Sequence, residues 1–120
     1  MKKILAAASF DKQKYYLEKE FQGLPEEIQE EVRVICVLLA QKLQCTFVMG
    51  FYDDGEVYFE SVREEDDFNF DEIGSELEIK QIYRTKSQLL DALKLWYCVY
   101  FTQEGEKIQQ DLLRKTDAEN

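Results

Sequence analysis

The sequence predicts a single α+β domain in which an antiparallel sheet, centred on one β-hairpin, packs against two main helices. Two observations predict this fold. Strand-forming residues flank an Asp-Asp-Gly turn, and two long segments place apolar residues at helical spacing. The chain has 120 residues, 45% of them apolar, which is enough for one core without disulfides or metals. We assign residues 1–115 to this domain and 116–120 to a frayed C-terminal tail.

The predicted element order is strand, helix, strand, strand, helix. Ile4–Phe10 is predicted to be a short buried strand. The polar segment that follows is predicted to be irregular and held to the core by four side chains: Tyr15, Tyr16, Leu17 and Phe21. Pro25 is predicted to begin the first helix, at a position where a backbone N–H would have no hydrogen-bond partner within the helix.

The first helix is predicted from a stripe of apolar residues at helical spacing: Ile28, Val32, Ile35, Leu39 and Leu43. Its second half is apolar nearly all round, because Val34, Val37 and Leu38 lie off that stripe. Such a helix is buried on more than one side, so it lies centrally in the fold or in a dimer interface. We therefore take these three residues as candidate interface residues.

The hairpin follows this helix. Cys45–Tyr52 and Glu56–Val62 are rich in strand formers, and the second of them alternates between apolar and polar residues. Asp53, Asp54 and Gly55 between them form a turn signal in which the glycine can adopt a positive φ.

The remaining helical region starts with a possible capping box, in which Ser75 and Glu78 would begin a helix at Glu76. A similar pattern at Thr85 leaves two alternatives open, one long helix over 76–103 or two helices with a break. The helical stripe ends in a cluster of aromatic residues: Trp96, Tyr97, Tyr100 and Phe101. Core packing and interface use both remain open for this cluster.

The charge of the chain is strongly negative, at −10. This charge disfavours nucleic-acid phosphates and anionic membrane surfaces as partners, so we expect neither. Six carboxylates form a candidate acidic surface: Glu64, Glu65, Asp66, Asp67, Asp71 and Glu72. A solvated surface that keeps the protein soluble and a surface for a basic protein partner are the two interpretations of these residues.

Part of this acidic stretch resembles a calcium-binding loop. Asp67, Asn69, Asp71 and Glu78 fall at the first, third, fifth and twelfth positions of such a loop. The sixth position needs a glycine for its sharp turn and is Glu72 here, so we predict no metal site.

Several kinds of chemistry are excluded or disfavoured by composition. The chain has no histidine, which removes the commonest general base and metal ligand, and its five glycines form no phosphate-binding motif. The spacing of Cys36, Cys45 and Cys98 fits neither zinc ligands nor a disulfide framework, and free thiols are typical of a reducing cytoplasm. No apolar run is long enough to span a membrane, and we predict no cofactor.

A resemblance to a known family rests on four short stretches: Gln13-Lys14-Tyr15-Tyr16, Gly23-Leu24-Pro25-Glu26, Asp71-Glu72-Ile73-Gly74-Ser75 and Ile79-Lys80-Gln81. In order and spacing they resemble a family of small proteins of unknown function from clostridia and related Firmicutes, over residues 7–102. The resemblance implies a bacterial cytoplasmic protein. No activity is assigned to that family, so no catalytic residue is carried over.

Three functional hypotheses follow. The first is a non-enzymatic protein-interaction protein that forms a homodimer, because apolar and aromatic helix surfaces are present without catalytic motifs. The second is an enzyme or small-ligand binder with a carboxylate-lined pocket. The third is an acidic regulator or decoy that binds a basic protein.

Overall fold

The computed structural model describes residues 2–63 and 72–102 and confirms the predicted α+β fold. Within these ranges the strands are β1 (Lys3–Ser9), β2 (Lys14–Leu17), β3 (Thr46–Phe51) and β4 (Val57–Val62). The helices are α1 (Glu26–Leu43), α2 (Glu72–Thr85) and α3 (Ser87–Phe101), with a short 3-10 helix at Lys19–Phe21. The predicted domain boundary at 115/116 and most of the acidic stretch lie outside the described residues.

The strands form one antiparallel sheet in the order β2-β1-β3-β4. Residues directly opposite one another share a face, so Ala6, Met49 and Phe59 lie on the face that meets the helices. The register shifts between Ile4 and Ala6, and both Leu5 and Ala6 are fully buried at this irregularity. The opposite face includes Val48 and Tyr58, which do not belong to the core cluster.

The core lies between the sheet and the three helices. The aromatic ring of Phe21 is fully buried in this core, 5.3 Å from the ring of Phe51 and 5.2 Å from that of Phe101. Burying rings of this size against one another supplies a large share of the apolar stabilisation of a small domain.

The segment before α1 departs from the sequence prediction. Lys14–Leu17 was expected to be irregular, but it forms β2 and pairs with β1 from Ala6↔Leu17 to Ser9↔Lys14. Backbone pairing with β1 therefore stabilises a strand here, although the local sequence is polar and does not favour one. The predicted anchoring is partly correct, since Phe21 is fully buried and Tyr15 and Leu17 pack against the core, whereas Tyr16 is exposed.

The predicted hairpin is confirmed in β3 and β4. The Tyr52 N–H donates to the Glu56 carbonyl at 2.8 Å, and the Gly55 N–H donates to the Tyr52 carbonyl at 2.9 Å. Gly55 has a φ of +89°, a conformation that a side chain would strain. A three-residue turn of this kind fixes the register of the two strands.

The start of α2 was predicted wrongly. The helix begins at Glu72, not at Glu76, so Ser75 is an interior helical residue and not a cap. Its side chain is buried, and its hydroxyl lies 2.7 Å from the hydroxyl of Ser61 on β4. The hydroxyl is therefore used to join a helix to a strand, which the capping pattern could not indicate.

The structure settles the alternative between one long helix and two. Lys86 separates α2 from α3 and has a φ of −114° and a ψ of 26°, outside the helical range. The Lys86 N–H still donates to the Ile82 carbonyl at 2.8 Å, and its own carbonyl accepts from the Leu90 N–H at 3.0 Å. The break therefore leaves these backbone groups hydrogen bonded.

The three cysteines are free thiols in unequal surroundings. We expect one fast-reacting thiol, Cys98, when the folded protein meets a maleimide near pH 8. Cys36 and Cys45 are buried, and burial raises the pKa of the Cys36 thiol to about 12 and that of Cys45 to about 11. Both thus have little thiolate at this pH, and the thiolate is the nucleophile. Mass spectrometry of labelled peptides would assign the sites, and fast labelling of Cys36 would contradict the expectation.

Candidate functional site

A groove lies between the neighbouring helices α1 and α2. The Lys42 ammonium on α1 lies 2.5 Å from the Glu78 carboxylate on α2, which is one of the groove residues. The groove has a volume of about 300 Å³. Its lining comes from both helices and from the break after α2: Glu30, Glu31, Val34, Ile35, Leu38, Leu39, Glu78, Gln81, Ile82, Thr85 and Lys86.

The apolar residues that line this groove include buried side chains and exposed side chains. Ile35, Leu39 and Ile82 form its floor and are each about 7% exposed. Leu38 and Val34 project beside that floor, with 61% and 42% of their surfaces exposed. Leucine and valine side chains gain free energy when they leave water, so this is a surface that a partner can stabilise by covering it.

The charged groups at the groove are mostly carboxylates, and some of them form ion pairs. Three carboxylates, Glu30, Glu31 and Glu78, contribute to the lining. Arg33 forms an ion pair and a hydrogen bond with Glu30, and this bond lowers the pKa of the Glu30 carboxyl. Lys42 is paired with Glu78, and Lys86 contributes a positive charge to the lining itself. Two of the three lining carboxylates are therefore held in ion pairs.

Two of the candidate interface residues predicted on α1 thus lie at this groove. Val34 and Leu38 are exposed at its mouth, whereas Val37 is partly buried against the core on another side of α1. Sequence analysis did not single out Leu77, which is 61% exposed on α2 and lies one turn before the groove residue Gln81. Its apolar character was visible in the sequence, but its position beside α1 depends on how the helices pack.

The aromatic cluster on α3 lies away from that groove and is divided between core and surface. Tyr97 is buried, 4.8 Å from the ring of Phe51, and Phe101 is half-buried against Phe21. Trp96 is half-buried, and Tyr100, which is 58% exposed, lies 4.8 Å from its ring. Of the four, Tyr100 therefore offers the largest fraction of its surface to a partner.

The candidate acidic surface is represented in the described residues by Glu72 alone; Glu64, Glu65, Asp66, Asp67 and Asp71 lie outside them. The Glu72 carboxylate lies 2.6 Å from the Arg63 guanidinium, which joins the start of α2 to the end of β4. The calcium-like pattern that starts at Asp67 also falls largely outside the described residues. Within residues 2–63 and 72–102, no cluster of three candidate metal ligands is present.

A second groove, also of about 300 Å³, lies between β4 and the first half of α2. Its lining is mostly polar: Phe59, Glu60, Ser61, Arg63, Glu72, Ser75, Glu76 and Ile79. Every carboxylate in the described part of the chain retains some exposure to water. Neither groove therefore contains the buried acid that carboxylate catalysis with a displaced pKa requires.

Comparison with known proteins gives a family without an assigned activity. The model of the family of unknown function DUF6145 matches residues 2–105. The chain belongs to this family. No curated protein and no solved structure matches the chain. The family match agrees with the sequence resemblance in identifying a protein of unknown function, so the grooves themselves must support any functional proposal.

No helix within the described ranges is both long and apolar enough to cross a membrane.

Proposed function

We propose that the protein is a non-enzymatic interaction protein that forms a homodimer through the α1–α2 groove. The observation that supports this proposal best is Leu38, which is 61% exposed directly beside a groove floored by Ile35, Leu39 and Ile82. An exposed apolar side chain and an apolar recess thus occur on the same surface.

A two-fold dimer requires a self-complementary surface, because the same patch is used by both copies. When two such helix pairs face each other, Leu38 of one copy can enter the groove of the other, and the reverse contact forms at the same time. Packing side chains of one helix pair between those of another is the ordinary geometry of helical bundles. Val34 and Leu77 extend the apolar surface along the two helices.

Charge also favours this surface for self-association. Two copies of a chain with a charge of −10 repel each other over most of their surfaces. At the α1–α2 groove, Glu30 is paired with Arg33 and Glu78 with Lys42. These ion pairs reduce the repulsion between copies at the place where the apolar groups are exposed.

Leu38→Asp is expected to convert the dimer to a monomer, because the contact would bury an unpaired carboxylate at its centre. Sedimentation velocity over about 5–100 µM would measure the association, which we expect to weaken at least about a hundredfold, as for a central contact residue. Leu95→Asp is the matched control, since Leu95 is 67% exposed on α3 and is not part of the groove lining. A monomeric parent protein, or equal weakening by both variants, would contradict the proposal.

We also infer that the protein acts in a bacterial cytoplasm. The resemblance to clostridial proteins supports this location, as do the three free thiols. Fractionation of a Firmicute host that expresses the chain would test it, with enrichment in the membrane or culture medium as the opposing result.

A further inference from the structure

We propose that the outer edge of β4 is a second interaction surface, which binds an extended, basic peptide segment of another protein as a further strand of the sheet. This site is separate from the α1–α2 groove and does not depend on dimer formation.

The backbone register determines which groups of β4 face outward. Tyr52 and Glu56 form a hydrogen-bonded pair, and hydrogen-bonded pairs alternate along an antiparallel ladder. Tyr58, Glu60 and Val62 therefore direct their backbone N–H and C=O groups toward β3. The corresponding groups of Val57, Phe59 and Ser61 point away from the sheet.

The outward backbone groups of these three residues differ in whether they are hydrogen bonded. The Val57 carbonyl accepts a hydrogen bond of 2.7 Å from the Tyr83 hydroxyl on α2, which closes one end of the edge. Among the described residues, the outward backbone groups of Phe59 and Ser61 have no hydrogen-bond partner. An unpaired strand edge of this kind is a template for pairing with another strand.

Space for such a strand is present beside the edge. The groove between β4 and α2 has about 300 Å³, and α2 contributes Glu72, Ser75, Glu76 and Ile79 to its lining. Neighbouring strands lie about 4.8 Å apart within a sheet, so an added strand would lie alongside the outer edge of β4 and not between Ser61 and Ser75, whose hydroxyls are in contact. Its side chains would alternate between the helix side, where Ile79 offers an apolar contact, and the side of Glu60.

Charge selects a basic partner. The lining includes Glu60, Glu72 and Glu76 against one cation, Arg63, which is already paired with Glu72. Pairing of β4 with β4 of a second copy would bring the two Glu60 carboxylates close together, and like charges on adjacent strands are destabilising. Lysine or arginine side chains on the added strand would instead face carboxylates.

The probe for this site is an octapeptide of alternating lysine and valine with a fluorescent label. We expect its fluorescence anisotropy to rise with protein concentration and the binding to weaken in high salt. Amide hydrogen exchange, measured by NMR on the whole chain, should slow at least about tenfold at Phe59 and Ser61 because these groups become hydrogen bonded. An octapeptide of alternating glutamate and valine should not bind.

Two pairs of controls separate strand addition from simple charge attraction. The same lysine–valine peptide with methylated backbone nitrogens has equal charge but cannot pair, and we expect it to bind at least about tenfold more weakly. Ser61→Pro removes an outward N–H, whereas Ser61→Ala loses the same hydroxyl and retains that N–H. Only the proline variant should lose peptide binding. Glu60→Gln should weaken it up to about fivefold, because the lysines of the peptide lie on the side of Glu60 when its valines lie on the helix side.

Three results would overturn the proposal. They are no binding of the lysine–valine peptide, equal binding of its methylated form, and unchanged amide exchange at Phe59 and Ser61 in the saturated complex. Because the methylated peptide is tested on the unaltered chain, the proposal stays open to refutation even if Ser61→Pro fails to fold. Leu38→Asp should bind the peptide normally, so failure of the dimer and failure of this site can be distinguished.

Discussion

Replacing Phe21 by alanine is expected to lower the free energy of unfolding by about 3–5 kcal/mol, the usual cost of removing a fully buried phenylalanine. Phe21 is 0% exposed, and its ring contacts those of Phe51, Trp96 and Phe101. It therefore joins the 3-10 helix, β3 and α3 at one point. A loss of this size is a large share of the stability of a small domain, so the midpoint of thermal unfolding should fall by roughly 10–20 °C.

Two measurements would test this expectation. Urea unfolding followed by circular dichroism gives the change in stability, and Tyr16→Ala is the control because Tyr16 is 53% exposed and should cost less than about 1 kcal/mol. The chain has a single tryptophan, Trp96, whose ring lies 5.8 Å from that of Phe21. The Phe21→Ala variant should therefore shift Trp96 emission to longer wavelength. A loss of stability no larger than that of Tyr16→Ala would show that Phe21 does not anchor this segment.

The sequence predicted those parts of the fold that depend on local pattern. The hairpin followed from strand formers on either side of Asp53-Asp54-Gly55, and α1 followed from its apolar stripe and Pro25. By contrast, β2 spans only four residues in a polar segment, too few for an alternating pattern to be distinctive. Its existence depends on pairing with β1, which is a tertiary contact. The role of Ser75 was mistaken for that of a helix cap because it also depends on a tertiary contact. The sequence does not show that Ser61 lies opposite it.

The candidate site was partly predictable. Val34 and Leu38 were identified because a helix that is apolar all round must either be buried or have a partner, and both are exposed at the groove. The contribution of α2, which includes Ile82, could not be assigned, because the position of α2 beside α1 is set by packing. The Lys42–Glu78 ion pair was also not predictable, because it joins residues far apart in the sequence.

The edge of β4 shows why the two proposed surfaces should select different partners. At the α1–α2 groove, two of the three lining carboxylates are held in ion pairs and the exposed side chains are apolar, which suits a second copy of the same chain. At the β4 edge, carboxylates exceed cations and the available groups are backbone donors and acceptors, which suits a basic strand. The two proposed partners would therefore use different surfaces of the chain.

Gly50→Ala is expected to destabilise the protein by about 1–3 kcal/mol, although alanine normally suits a strand better than glycine does. Tyr58 lies directly opposite Gly50 on β4, and its ring lies over the glycine. A Cβ atom at position 50 would come within 2.5 Å of the Tyr58 Cζ atom, much closer than two carbon atoms can approach. The ring would have to leave a place where Tyr58 is only 5% exposed and where the Lys2 ammonium lies 5.0 Å from its centre.

A double-mutant cycle with Tyr58→Ala isolates this contact. Once the ring is absent, Gly50→Ala loses its steric cost and keeps the entropic advantage of alanine in the unfolded chain, so it should stabilise the variant by about 0.5–1 kcal/mol. The effect of one substitution thus changes sign with the residue opposite it. Urea unfolding of the parent, both single variants and the double variant would measure the cycle. If Gly50→Ala has the same effect in both backgrounds, the tyrosine ring is not what requires glycine at this position.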